Sequence, residues 1–244
     1  MTADILTVIW KEFRELLQRE NWRGIAISLV IPVIVFGIML PLSLGYIWVD
    51  SSISVFFWVY LPLMRVLAPA VDAFAGERER HTLETLLATP MSDLAILLGK
   101  ITSIVCYVWI MTLIPILVAL GTINLVYGRG RLLLYPVPVL VSGAVLAILA
   151  TTFYTSIYTL FALRANTVKQ AFEQLGLATT IIVYLPLLLL PVLLPQLPVE
   201  WIRALMKTNT TAAFLTVVVV LIILNVGLLW LVSKRFARSR LILD

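Results

Sequence analysis

Residues 72–100 read DAFAGERERHTLETLLATPMSDLAILLGK. Apolar runs flank this stretch on both sides, and no other long polar interruption of the chain has so ordered a pattern. Acids and bases alternate through Glu77, Arg78, Glu79 and Arg80. The following His81-Thr82-Leu83-Glu84-Thr85-Leu86-Leu87 places its apolar residues on one helical side. Thr89-Pro90 then reads as a helix start, with threonine as cap and proline in the first turn. A plain connection needs only a few polar residues and a turn. This one has the pattern of a short helix that touches a partner.

The surroundings of that stretch set the class. Of 244 residues, 61% are hydrophobic and 13% charged, and the mean hydropathy is +1.05. A soluble domain carries about 25% charged residues. The deficit marks an integral membrane protein with apolar segments spread evenly, hence one helical bundle and a single domain over 1–244. A membrane-spanning helix needs roughly 20 apolar residues, and six segments qualify, near 25–45, 53–75, 94–122, 133–162, 171–195 and 211–232. Helices satisfy every backbone group inside the segment, as lipid requires. The fold expected is all-α: six transmembrane helices, an amphipathic helix before them and a short helix between spans two and three.

An even number of spans puts both termini on one side. Basic residues choose which. With the amino terminus in the cytoplasm, the inner segments hold Lys11, Arg14, Arg19, Arg23, Arg78, Arg80, Lys100, Arg164, Lys169, Lys234, Arg235, Arg238 and Arg240. The outer connections hold Arg129, Arg131, Arg203 and Lys207. This asymmetry places both termini inside. The net charge of +5 thus reports topology and not nucleic-acid binding.

The first twenty residues carry Lys11, Glu12, Arg14, Glu15 and Arg19 and show no cleavable signal peptide. Residues 4–20 instead form an amphipathic pattern. Leu6, Trp10, Phe13 and Leu17 share one face, and Lys11, Arg14, Glu15, Gln18 and Arg19 share the other. That fits a helix lying in the membrane interface, with packing on the bundle as the alternative. At the far end of segment five, Pro186, Pro191, Pro195 and Pro198 interrupt the helix. Residues 199–207 (VEWIRALMK) can form a short amphipathic helix. The two three-helix halves share no repeat, which argues against an inverted-repeat carrier.

Chemistry is sparse. His81 is the only histidine and Cys106 the only cysteine, so no His–Cys metal cluster or disulfide arises within the chain. HTLE is not HExxH, and there is no GxSxG. Gly99-Lys100 is followed by isoleucine and lacks the first glycine of a phosphate-binding loop. The chain therefore has no nucleotide site of that kind and is not read as an enzyme. Arg65 and Asp72 are the charges nearest a span interior. They lie seven residues and about 10 Å apart along a helix, too far to pair directly. Arg65 snorkels, meets a neighbouring helix or lines a polar cavity. Segment four is rich in small and hydroxylated residues, among them Thr151, Thr155 and Tyr158. Close helix packing is the default reading, and a substrate path past Arg65 is the alternative. Asn225 reads as an interhelical hydrogen-bonding residue.

The central motif resembles the coupling motif of ABC-2 type permeases, E-x-E-x-G-T-x-E-x-L-L-x-T-P-x-S after the second span. Glu77, Glu79, Thr82, Glu84, Leu86, Leu87, Thr89, Pro90 and Ser92 match, and His81 stands where the family often has glycine. The amphipathic amino-terminal helix, six spans, proline-rich outer break and basic tail (KRFARSRLIL) agree with it. Asn209-Thr210 replaces the Asn-Pro often found before the last span. The resemblance implies the permease of an ATP-driven exporter in a prokaryotic inner membrane. Two such subunits, as a homodimer or a heterodimer, would assemble with two ATPase subunits, and ATP and Mg would be bound by the ATPase. This chain would bind no cofactor. Residues 76–92 would be the coupling helix, transmitting ATPase closure through Glu77, Arg78, Glu79, Arg80, His81, Thr82, Glu84, Thr89, Pro90 and Ser92. Trp10, Phe13 and Arg14 of the 1–23 interfacial helix would form a second contact. Spans one and two then occupy 25–75, spans three to six 94–232, and a basic tail 233–244. Short outer loops and an apolar interior point to an amphipathic or lipid-like substrate. The competing reading is a non-transport scaffold through which an ATPase acts on an envelope partner.

Overall fold

The structure is a computed structural model that describes residues 2–19, 22–50, 53–82, 91–165, 167–181, 185 and 210–236. The described residues contain helices and no strands. In chain order they are α1 (Thr2–Arg19), α2 (Trp22–Pro32), α3 (Leu40–Leu44), α4 (Tyr46–Asp50), α5 (Ile53–Val71), α6 (Glu77–Glu79), α7 (Asp93–Tyr127), α8 (Val137–Ala162), α9 (Val168–Thr179) and α10 (Thr210–Arg235). Two π-helical turns, Val33–Met39 and Asp72–Gly76, join α2 to α3 and α5 to α6.

Among the described residues, five continuous helical stretches are long and apolar enough to cross a membrane: Gly24–Leu44, Ser54–Glu79, Asp93–Tyr127, Val137–Ala162 and Phe214–Arg235. They coincide with five of the six expected spans. The expected span near 171–195 starts earlier, at Val168, and runs as described helix only to Thr179. Beyond it Thr180, Ile181 and Leu185 are described and helical, while the other residues up to 209, with the proline break and the 199–207 helix, lie outside the described residues. Large apolar side chains such as Leu215, Val219, Ile223 and Val226 face outward from α10. Cys106 also faces outward from α7. In hydrocarbon these positions carry no exposure penalty.

Small residues set the helix spacing. α5 packs most extensively on α8, and Gly143 lets them approach. A Cβ there would come within 2.5 Å of Trp58 Cε3, so the gap is one methyl too narrow for alanine. Around Pro41 the sequence forces a different adjustment. Proline has no N–H for the carbonyl four residues earlier. That carbonyl, on Gly37, accepts from Thr122 Oγ1 of α7 at 2.8 Å instead. A neighbouring hydroxyl thus satisfies the freed group inside the bundle, and the helix relaxes into its π turn there.

The core divides along the bundle axis. At one end Phe36, Trp48, Trp58, Tyr60 and Tyr135 form an aromatic cluster with Ile116 and Ile123. Trp48 Nε1 donates to Tyr135 Oη at 2.9 Å, and Tyr127 Oη donates to the Leu42 carbonyl at 2.8 Å. At the other end Val66, Val71, Phe74, Ile96, Leu97, Ile104, Val108 and Phe236 pack together. This second end carries the central polar stretch, and it is where α1 docks.

Candidate functional site

Glu77, Arg78, Glu79 and Arg80 follow one another in a helical turn, so each side chain leaves the axis about 100° from the last. Four consecutive charges therefore reach four different parts of the bundle. Glu77 points inward and is buried. Its Oε1 lies 2.7 Å from Lys100 Nζ on α7. Arg78 Nη1 donates to the Leu163 carbonyl at 3.0 Å, at the carboxyl end of α8. Glu79 Oε2 accepts from the Val168 N–H at 2.8 Å, at the amino end of α9. Arg80 Nη1 returns to Asp72 Oδ1 at 3.1 Å. The cation sits at a helix C-terminus and the anion at a helix N-terminus, the two placements the helix dipole favours. Gly76 makes room for the last pair, since a side chain there would collide with both Asp72 and Arg80.

The inward arm is the most buried part. Lys100 is fully enclosed, and its ammonium bonds Glu12 Oε1 of α1 at 2.9 Å as well as Glu77. The Phe74 ring centroid lies 5.8 Å from the same nitrogen. Gly99, one residue earlier, is what lets α1 come so close: Val8 packs directly on it. Lys11 adds a peripheral charge, 3.6 Å from Glu12 and 3.3 Å from Glu15. Burial by itself lowers the Lys11 pKa, but the Glu12 and Glu15 carboxylates outweigh it and hold the ammonium above its ordinary value. Glu12, Glu15 and Glu77 bring carboxylate oxygens within 4.8 Å of one another. The cation between Glu12 and Glu77 is the Lys100 side chain itself.

Of the sequence-predicted coupling residues, Glu77, Arg78 and Glu79 are brought together as struts between helices. The expectation that these residues contact a partner is corrected for Glu77, whose carboxylate is enclosed, and Arg78 and Glu79 are engaged on α8 and α9. His81 and Thr82 are exposed beyond them. Thr82 Oγ1 donates to the Glu77 carbonyl at 3.3 Å. His81 has φ 57°, the left-handed region that glycine occupies at least cost. That accounts for a position where a related motif carries glycine. Glu84, Thr89 and Pro90 lie outside the described residues. The start of α7 differs from expectation: Ser92, in extended conformation, caps the helix by accepting the Ala95 N–H at 3.3 Å, and Asp93 opens the first turn.

α1 presents two faces. Val8 and Glu12 turn towards α7, and Phe13 packs on the core of the same end. Leu6, Trp10 and Leu17 remain exposed, and the Arg14 guanidinium lies 5.8 Å from the Trp10 ring centroid. The helix therefore packs on the bundle and keeps an apolar outer face with an arginine at its edge. Phe13 belongs to the inner face, where the sequence had grouped it with Trp10.

The residues of the candidate substrate path do not form one polar surface. Thr151 and Thr155 are buried with their hydroxyls bonded to the Ala147 and Thr151 carbonyls of their own helix, at 2.6 and 2.7 Å. Tyr158 Oη bonds Thr179 Oγ1 of α9 at 2.8 Å. Arg65 lies elsewhere and donates to Ser28 Oγ of α2 at 3.3 Å. The threonines belong to a buried helix face, and their hydroxyls are used within α8. Asp72 and Arg65 take separate partners, as their axial separation requires.

Lys100 and Glu12 are the site residues that sequence reading missed. The basic-residue asymmetry groups Lys100 with the charges of the inner segments. The available signal was its place in LAILLGKITSIV, where apolar residues continue on both sides and the helix offers no exit to water. Glu12 shows a weaker signal, as it shares a helix face with Val8 and Leu16.

Residues 43–240 match the family model described as ABC-2 family transporter protein. The match includes the central polar stretch and begins after most of the first span. No curated protein matches the chain.

Proposed function

The chain belongs to the ABC-2 family of transporter proteins, and from that premise we propose that it carries an amphipathic or lipid-like substrate outward, driven by ATP hydrolysis in a separate subunit. The family makes it a multi-pass membrane permease subunit that works with an ABC ATPase. In the proposed cycle the ATPase holds the ATP and Mg, two copies of it act on a pair of permeases, and residues 76–92 take up its movement on the cytoplasmic side. Residues 77–80 supply the observation that carries the reading. One turn is tied to α1, α7, α8 and α9 through Glu77, Arg78 and Glu79. A push on this turn reaches four helices at once. Short outer connections and an apolar bundle support the substrate class.

The test is co-expression with the partner ATPase, measuring complex formation, ATP turnover and substrate-stimulated turnover. Arg78→Gln and Glu79→Gln cut the links to α8 and α9, the first at a half-buried side chain and the second at an exposed one. They are expected to leave the complex assembled and to reduce stimulated turnover several-fold. Glu84→Arg, on the adjoining segment, is expected to weaken assembly. If all three variants assemble and turn over as the wild type does, the coupling assignment fails. If turnover never responds to any amphipathic substrate, a scaffold that transmits force replaces the transporter reading.

A further inference from the structure

At the same end of the bundle a half-open cleft of about 150 Å³ lies between α8 and α10, lined by Leu160, Phe161, Arg164, Leu231 and Arg235. Its two arginines hang from rigid backbone. Arg164 follows Leu163, whose carbonyl is held by Arg78, and precedes the buried Ala165. Arg235 stands beside Phe236, which is fully buried, as is Val232 one turn back. Phe236 packs edge-on against Phe74 at 6.1 Å between centroids. Among the described residues neither guanidinium has an acidic partner. The nearby Lys234 is engaged differently, its ammonium 3.7 Å above the Trp230 ring. Below the arginines the wall is apolar, and Phe161 and Leu231 are exposed along it.

We propose that this cleft binds the phosphate headgroup of an anionic phospholipid, with Arg164 and Arg235 on the phosphate and an acyl chain along Phe161 and Leu231. Two guanidiniums give the planar, multiply donating surface that phosphate oxygens favour. Their place at the ends of two spans puts them at headgroup depth, with Trp230 one turn away as an interfacial anchor. Basic clefts between membrane helices are the usual setting for such headgroups. A free phosphate would match the arginines but leave the apolar wall bare. A folded protein element is too large for the volume. The site shares no lining residue with the coupling node and does not depend on the transport reading.

The experiment is native mass spectrometry of the detergent-solubilised full chain titrated with phosphatidylglycerol, reading the affinity of the first bound lipid. Arg164→Gln and Arg235→Gln are each expected to weaken binding about fivefold, the size of one basic residue at an anionic membrane surface, and together roughly twentyfold. Both residues are exposed, so folding is not at risk. Leu231→Trp fills the cleft without changing charge and should weaken binding as well. Lys169→Gln, exposed on α9, should leave it unchanged, and phosphatidylcholine should bind more weakly than phosphatidylglycerol. Inorganic phosphate should not displace the lipid. The proposal is overturned if the double variant binds like wild type, if Lys169→Gln weakens binding as much as either arginine change, if Leu231→Trp has no effect, or if inorganic phosphate displaces the lipid.

Discussion

Replacing Lys100 by methionine removes the one buried cation that holds α1, α6 and α7 in register. The size of the effect follows from the geometry. Unit charges 2.9 and 2.7 Å apart attract by about 6 kcal/mol each at an effective dielectric of about 20. Two carboxylate oxygens within 4.8 Å of each other repel by at least about 3.5 kcal/mol on the same scale. Desolvating three ions costs several kcal/mol apiece, so the intact cluster contributes little net stability. Lys100→Met breaks that balance on one side only. It leaves Glu12 and Glu77 enclosed with no cation between them, and loss of one partner from a buried pair costs about 3–5 kcal/mol. For a chain of this length the expected fall in Tm is roughly 10 °C, read by fluorescence-detected thermal unfolding in detergent. The triple variant Lys100→Met, Glu12→Gln, Glu77→Gln removes the charges on both sides and should recover to within about 2 kcal/mol of wild type. In that background the bundle is stable but its register is no longer set by charge, so on the proposed coupling role ATPase stimulation is expected to stay low. A loss below about 1 kcal/mol for Lys100→Met would refute the reasoning, as would a triple variant no more stable than the single one.

Three other changes test the architecture. His81→Gly should hold or raise stability by up to about 1 kcal/mol and His81→Val should lower it by about 1–2 kcal/mol, because φ at 81 is 57° and β-branched residues resist that region; thermal unfolding checks both. Gly99→Val places a Cβ where only 2.5 Å separates it from Val8. It should cost about 1–3 kcal/mol and expose α1 to limited trypsin digestion at Lys11 and Arg14, with partial rescue by Val8→Ala. Asn225→Leu removes the 3.0 Å bond from Nδ2 to the Leu149 carbonyl that ties α10 to α8. The expected loss is about 0.6 kcal/mol, measured as a small fall in unfolding temperature with no change in ATPase assembly.

What the sequence determined alone is the class and the frame. A 61% hydrophobic chain with charges gathered between apolar runs has few solutions other than a helical membrane bundle, and five expected spans coincide with described helices. The central stretch could also be singled out, because order in a polar connection is visible without coordinates. Local periodicity tells which residues share a face of one helix. It does not tell what stands opposite, and the partners of Glu77, Arg78 and Glu79 all stand on other helices. Glu77 and Lys100 are 23 residues apart, and Glu12 and Lys100 are 88. Whether Lys100 is a loop charge or an enclosed strut depends on α1 folding back over Gly99, which no pattern within α7 records. The same holds for Thr151 and Thr155: a hydroxyl on a membrane helix suits a polar path or close packing equally well. Only their burial within the bundle, with both hydroxyls bonded inside α8, decides for packing. Tertiary structure thus assigned the partners, because burial and pairing are properties of helices meeting, and the sequence specifies each helix before it specifies the meeting.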